Sequence, residues 1–256
     1  MTQVRLPIFE ATPEPMDDRV RAFAGALRQA ITGDVRLDRA NRLLYATDAS
    51  IYQMIPLAVV LPRSTDELAE TVRTARRFHL PILPRGGGTS LAGQTVNHAV
   101  VIDCSFACNR IVDVDVDRRR VRVEPGVVLD DLNRALESHG LIFGPDVATA
   151  SHANLGGMIG NNSAGAHSVL YGRTVDHVEA LDVLLADGTT LHLDEGAADT
   201  DARAHAITAQ LAGIVRPIAK TIRQRYPGTL RHVNGYALDR LLDQFEASTC
   251  GTFDRV

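Results

Sequence analysis

The chain has 256 residues, of which 45% are hydrophobic and 23% charged, and its net charge is −4. That is the composition of an ordinary globular protein with room for one large domain or two small ones. The weak negative charge, with no basic run longer than Arg118-Arg119-Arg120, excludes a nucleic-acid partner from the expected function.

No apolar run approaches membrane-spanning length, so no transmembrane segment is expected. Met1 is followed by Thr2, Gln3, Val4 and Arg5 with no apolar signal region, which sets the expectation of a cytoplasmic protein, with peripheral attachment to the inner membrane face as the variant. Three cysteines are too few for a disulfide framework. Cys104 and Cys108 are not a CxxC pair and no second pair accompanies them, so the expectation is reduced, partly buried thiols and no metal site.

In chain order, residues 1–16, with three prolines, read as a leader. From Asp17 to Ile31, Val20, Phe23, Ala24, Leu27 and Ile31 fall on one face of a helix. Pro56 to Leu61 reads as a strand. Ser64-Thr65-Asp66-Glu67 is a capping box opening a helix to about His79, with Leu68, Val72 and Ala75 inward. Pro81 to Leu83 and Val100 to Asp103 give two more strands, and this strand–helix–strand order predicts partly parallel pairing.

Ile111 to Asp117 alternates, turns at Arg118 and returns through Val121 to Glu124 as a hairpin, predicting an antiparallel sheet in a second subdomain. Leu129 to Ser138 reads as a helix. Val178 to Ala186 and Thr190 to Leu193 form another hairpin around Asp187-Gly188. Ala204 to Arg225 reads as one amphipathic helix carrying Leu211, Ile214, Val215, Ile218 and Ile222.

The most informative stretch is Pro84 to Gln94, which contains Arg85-Gly86-Gly87-Gly88-Thr89-Ser90 between two apolar runs. Three consecutive glycines let the backbone take positive φ and approach a ligand closely. Successive N–H groups in such a turn converge on an anion, and Thr89 and Ser90 add hydroxyls. A dinucleotide fingerprint is disfavoured because Leu91 stands where the third glycine belongs. A P-loop is disfavoured because Gln94 stands where Lys is required. The plain alternative is a glycine-rich turn. A second cluster, Asn154 to His167, is rich in Gly, Asn and Ser. Alone it would be a loop; with the first it outlines two walls of a groove for an extended, phosphate-bearing ligand.

The two clusters, in this order and spacing, resemble flavoproteins of the vanillyl-alcohol oxidase type, whose FAD-binding domain is also found in p-cresol methylhydroxylase. Tyr45 to Tyr52, Pro56 to Arg63, Gly144-Pro145-Asp146, Tyr171 to Asp176 and Leu181 to Gly188 carry the resemblance further. The chain is most similar to the D-lactate, glycolate and D-2-hydroxyglutarate dehydrogenase branch. Within it, the similarity is to the amino-terminal part of long bacterial proteins that fuse this domain to an iron–sulfur domain.

The resemblance implies an α+β fold with FAD between two subdomains, at 41–105 and 106–230. Residues 1–40 are then a leader and helix, and 231–256 the start of a connection to a cap. It implies that Gly86, Gly87, Gly88, Thr89 and Ser90 surround the pyrophosphate, with Arg85 fixing the loop and Gln94 reaching a phosphate or ribose. Asp146 and Thr149 run beside the cofactor, Gly156, Gly157, Asn162 and Gly165 form the second wall, and Val178 lies near the adenine. Asn154 replaces a usual Thr. Some relatives attach flavin through a His where Gly88 stands, so non-covalent FAD is expected; His152 and His167 read as loop-structuring imidazoles.

The implied activity is oxidation of a small D-2-hydroxy acid (D-lactate, D-2-hydroxyglutarate or glycolate) by hydride transfer to flavin. A quinone, cytochrome, flavoprotein or iron–sulfur domain is the implied electron acceptor. The catalytic base and any metal ligands are expected beyond residue 256, so no residue here is named catalytic, and the chain reads as a fragment that turns over poorly alone. The alternatives are a UDP-N-acetylmuramate dehydrogenase-like FAD enzyme, a P-loop nucleotidase and a non-catalytic nucleotide-binding module.

Overall fold

The computed structural model describes residues 16–229 and 235–247. Most of the expected leader and the segments 230–234 and 248–256 lie outside the described residues. Helix α1 (Asp18–Ala30) starts at Asp17, whose carboxylate accepts the Arg19 N–H at 2.8 Å. It buries Val20, Phe23, Ala24 and Leu27, the face expected from their spacing. Strand β1 (Asp34–Arg36) and helix α2 (Arg39–Leu44) follow.

Strands β2 (Ala58–Leu61), β3 (Ile82–Arg85) and β4 (Val100–Asp103) join β1 in one sheet of order β1-β2-β4-β3. β4 runs parallel to both β2 and β3, with Val101 opposite Val59 on one side and Leu83 on the other. β1 is an antiparallel edge. Every residue of β2 and β4 is buried, as continuous Val/Ile runs require in a parallel sheet covered on both faces.

Helix α3 (Thr65–Arg77) packs beside α1, and both bury their apolar faces against Ala58, Val60, Val100 and Ile102. Its cap is half of the expected box. Ser64 Oγ accepts the Glu67 N–H at 3.2 Å, while the Glu67 carboxylate accepts from Arg63 N, Thr32 N, Thr32 Oγ1 and Gly33 N. Glu67, in the first turn of the helix, thereby anchors the chain between α1 and β1.

A second core gathers Val127, Leu129, Leu132, Leu136, Ala153, Leu155 and Met158 from helices α4 (Leu129–Glu137) and α5 (Leu155–Asn161) and their approaches. Against it pack the inward residues of the hairpin β5 (Ile111–Asp115) and β6 (Arg120–Val123). The expected antiparallel sheet is instead two separate two-stranded hairpins. The second, β7 (Leu181–Leu184) and β8 (Thr190–Leu193), begins three residues later than its apolar run predicted. Residues Thr174–His177 form a 3₁₀ turn ahead of it. The hairpins meet through charged side chains, Arg122 with Asp182 and Arg120 with Glu179 at 2.6 Å, rather than through a backbone ladder.

The expected long helix from Ala204 to Arg225 is broken. After the single-turn helices α6 (Ser168–Tyr171) and α7 (Ala197–Thr200), α8 (Ala202–Val215) ends in a 3₁₀ turn at Arg216–Ile218, and α9 (Ala219–Arg225) resumes. Pro217 supplies no N–H and its ring crowds the preceding turn, so the regular ladder stops there. Ile214 and Ile218 are exposed, off the expected inward face. A third core of Ala212, Val215, Ile222, Leu242 and Phe245 joins α8 and α9 to α10 (Leu238–Ala247).

Candidate functional site

The glycine loop leaves the end of β3, at the edge of the parallel sheet. Arg85, the last residue of that strand, turns inward. Its Nη1 donates to the carbonyls of Tyr45 and Thr95, each at 3.1 Å, and its Nη2 to that of Thr47 at 2.8 Å. The guanidinium lies 5.3 Å from the centre of the Tyr45 ring, a cation–π arrangement. Tyr45 in turn donates to Asp103 Oδ2 at 2.6 Å, and burial raises its pKa. Gly88 has φ +67°, and a Cβ there would lie 2.6 Å from Arg85 Nη2. Arg85 therefore shapes the loop from beneath.

The other side of the loop rests on the second cluster. A Cβ on Gly86 would collide with Asn154 Oδ1, and one on Gly87 with the His152 carbonyl. The Gly87 N–H donates to Asn154 Oδ1, while Asn154 Nδ2 donates to the Gly126 carbonyl at 2.5 Å. Asn154 is 4% exposed. It stands at the N-cap position of α5 but makes no cap bond, because its amide joins the glycine loop to the chain entering α4. The resemblance left its bonding open; the structure makes it a junction.

A second clamp closes the far end. Ser90 Oγ accepts the N–H groups of Ala92 and Gln94, each at 3.2 Å, and bonds to Gln94 Oε1. Gln94 Nε2 then donates to Asn161 Oδ1 at 3.1 Å. The loop thus lies along α5, fastened at Asn154 before its first residue and at Asn161, its last. Between the clamps, the N–H groups of Gly88, Thr89 and Ser90 donate to no partner among the described residues. Gly157 and Gly160 have no atom within 4 Å of an added Cβ.

The first half of the second cluster, Leu155–Asn161, is a helix where a loop was expected, and residues 162–167 are irregular. Its glycines divide by role. Gly156 donates its N–H to the Pro125 carbonyl at 2.9 Å, and a Cβ there would lie 2.6 Å from Pro125 Cβ. Gly157 and Gly160 face open space. Asn162 ends the helix in the left-handed region (φ 46°), and its Oδ1 accepts the Val175 N–H at 3.1 Å.

Asp146 and Gly165 pack on one another so closely that a Cβ on Gly165 would collide with the carboxylate. Asp146 accepts the His167 N–H at 3.1 Å and pairs with His167 Nδ1; these bonds hold its pKa below the ordinary carboxylate value. Thr149 is exposed, and its carbonyl accepts from His152 and Ala153 at 2.8 Å each. Val178 is half-buried and extended, just after the 3₁₀ turn. The structure thus brings Arg85 to Ser90 and Gln94 together with Gly156 and Gly157 along α5. Asp146, Gly165 and His167 form their own group.

Asn154 and Asn161 fasten the two clusters and were absent from the expected contacts. Their signal in the sequence was position alone: one Asn before and one after an apolar-glycine run. Among the described residues the two thiols are held protonated, since burial pushes Cys104 up to about 12 and Cys108 up to about 11. Among the described residues no group of three or more His, Cys, Asp or Glu is placed to hold a metal, and no helix is long and apolar enough to cross a membrane.

A family model described as an FAD binding domain matches residues 56–194, which takes in both clusters and both hairpins. D-2-hydroxyglutarate dehydrogenase of Pantoea ananatis is 38% identical over 231 residues, covering 86% of this chain and 23% of that protein. Glycolate oxidase subunit GlcD of Bacillus subtilis is 38% identical over 162 residues, covering 62% of this chain and 34% of that one. The chain thus spans a quarter to a third of the length of these curated relatives. Among solved structures, an alkyldihydroxyacetonephosphate synthase aligns with TM-score 0.65 at 23% identity over 75% of this chain and 38% of its own, a likeness of fold. The family model spans more than half of the 256 residues, and the chain belongs to the FAD binding domain family.

Proposed function

We propose that this chain is the FAD-holding part of an oxidoreductase that acts on a small D-2-hydroxy acid, with D-2-hydroxyglutarate, D-lactate and glycolate as the candidate substrates. The observation that carries the reading is the double fastening of the glycine loop along α5. It leaves three consecutive backbone donors, at Gly88, Thr89 and Ser90, beside a face of α5 whose Gly157 and Gly160 have no side chains. Backbone N–H groups held in a rigid turn suit a pyrophosphate, which needs several donors and tolerates little reorganisation. The residues fit the cofactor of the family.

When bound, FAD supplies the redox chemistry, accepting a hydride from the substrate α-carbon. The chain's own part is to hold and orient. Gly88, Thr89 and Ser90 donate to the phosphates, and the Thr89 hydroxyl adds a donor. Arg85 keeps its charge beneath the loop, where it lends positive potential without leaving its three carbonyl acceptors. Gly157 and Gly160 admit the cofactor against the helix backbone. Asp146, Thr149, Asn162, Gly165 and Val178 belong to the same proposal as the wall farther along the ligand.

Gly88 has no side chain with which to bond a flavin, which favours non-covalent FAD. A boundary between subdomains near residue 105 is supported by separate cores, one gathered from Val20 to Ile102 and one from Val127 to Met158; the first core takes in α1 and a third joins residues 212–245, so packing lends no support to the bounds at 40 and 230. The electron acceptor is a quinone, cytochrome, flavoprotein or iron–sulfur domain, and the protein works in the cytoplasm or on the inner membrane face.

The test is a visible absorption spectrum of the purified chain before and after incubation with FAD, followed by acid precipitation. A flavin spectrum whose colour stays in the supernatant supports non-covalent FAD. Colour in the pellet places the flavin on a side chain. A folded chain that takes up no flavin, and also takes up none as part of its full-length protein, defeats the reading.

A further inference from the structure

We infer that Asn154 is a positioning residue that sets which backbone donors of the glycine loop face the cofactor phosphates; this rests on the FAD reading above. The argument begins with hydrogen-bond count. A three-glycine turn offers an unbroken row of N–H groups, and nothing in its composition says which of them reach a ligand. In this chain Gly87 N–H is taken by Asn154 Oδ1. The row available to an anion therefore starts at Gly88.

Asn154 can do this because its amide is itself fixed. It is buried, and Nδ2 donates to the Gly126 carbonyl at 2.5 Å. Gly126 cannot shift, because its N–H donates to the Cys108 carbonyl at 2.7 Å and a Cβ at that position would collide with the Cys104 carbonyl. The donor on one side thereby fixes which way Oδ1 points on the other. An amide carries its donor and its acceptor on separate atoms, so Asn154 makes the two bonds from different ends of one planar group. The packing agrees: Gly86 must lack a Cβ because Asn154 Oδ1 occupies that space.

The loop is thus held in register with α5 by one side chain, and the three donors left over are adjacent. Asn154 acts through Gly87, whose N–H it occupies.

The experiment compares the wild-type chain with Asn154→Ala and the isosteric Asn154→Asp. FAD affinity is measured by flavin fluorescence at low and high salt, and the ³¹P resonances of the bound pyrophosphate are recorded. Folding is checked by the apo melting transition. Asn154→Ala is expected to raise the FAD Kd about tenfold, the size of one lost directing hydrogen bond, and to shift the ³¹P resonances.

Asn154→Asp keeps an oxygen for Gly87 N–H but loses the donor to the Gly126 carbonyl and places a negative charge beside the phosphates. It is expected to bind more weakly than the Ala variant at low salt and to approach it at high salt. A residue that only supported the fold would lower the melting temperature while leaving the ³¹P shifts and the salt dependence of the folded variants unmoved. Wild-type Kd and ³¹P resonances in the Ala variant overturn the inference. If that variant does not fold, wild-type Kd at low salt in the Asp variant overturns it. A wild-type chain that binds no FAD, alone or full-length, overturns the functional reading and this inference with it.

Discussion

Gln94 Nε2 donates to Asn161 Oδ1 at 3.1 Å, joining two side chains 67 residues apart and closing the outer end of the glycine loop onto α5. Both partners are exposed, so water competes for the bond and the stabilisation is at the low end of the range for a neutral pair. Gln94→Leu, which keeps volume and removes the donor, is expected to cost about 0.5–1 kcal/mol. The check is a denaturant titration of the apo chain. The effect on FAD should be larger in rate than in stability, with release several-fold faster in stopped-flow exchange, since the same side chain fixes the loop through Ser90.

Gly126 and Gly25 make an internal contrast. A Cβ on Gly126 would collide with the Cys104 carbonyl and lie 2.6 Å from that of Cys108, both backbone atoms without freedom to move. Gly126→Ala is expected to cost more than about 3 kcal/mol, in the range of severe overpacking. Gly25, inside α1, has nothing within 4 Å of an added Cβ. Gly25→Ala should stabilise by about 0.5–1 kcal/mol through helix propensity. Thermal melts of the two variants should move in opposite directions.

Glu67 should make stability depend on acid pH. Partial burial raises its pKa, but the N–H of Arg63 and the donors of Thr32 and Gly33 outweigh that, and the net value lies below the ordinary carboxylate range. The folded state therefore binds the proton less readily than the unfolded state. The stabilisation is complete above the unfolded carboxylate pKa and is lost as pH falls through the lower folded value. Glu67→Gln is expected to lower stability at pH 7 by about 1–2 kcal/mol, because a neutral acceptor replaces a charged one. It should also flatten part of the decline below about pH 4.5. Urea midpoints measured from pH 7 to pH 3 would reject this if both proteins declined in parallel.

Much of the fold could be read from the sequence because local chemistry and tertiary packing agree there. Ser64 caps α3, Asp187-Gly188 turns the second hairpin with Gly188 at φ +86°, and the spacing of Val20, Phe23 and Leu27 matches their burial. Misreadings arose where one signal overrode another. Leu155 to Asn161 reads as a loop because glycine has low helix propensity, yet Leu155 and Met158 bury a helical face in the second core and prevail. The run from Ala204 to Arg225 has unbroken apolar periodicity, and Pro217 interrupts the helix that this periodicity predicts. In the site, the glycine loop announced itself by composition. Asn154 did not, because its role depends on Gly87 and Gly126, which only folding brings to it.

Gly157 and Gly160 allow stability and cofactor affinity to be separated. Both lie in α5, both are exposed, and neither has an atom within 4 Å of an added Cβ. If packing alone decided these positions, alanine would be favoured at each, since glycine in a helix interior costs roughly 0.5–1 kcal/mol relative to alanine. Gly157→Ala and Gly160→Ala are therefore expected to raise the melting temperature of the apo chain. By helical spacing the same methyl groups share a face of α5 with Asn161, which holds Gln94 of the glycine loop, and close approach of a ligand to that backbone needs the space. FAD affinity is expected to fall by about tenfold in each variant as the cofactor is pushed from the helix, a displacement of about 1.4 kcal/mol. Differential scanning calorimetry of the apo protein and flavin fluorescence titration read the two effects independently. A rise in melting temperature with unchanged affinity would remove this face of α5 from the cofactor wall and leave the glycine loop to hold the phosphates alone.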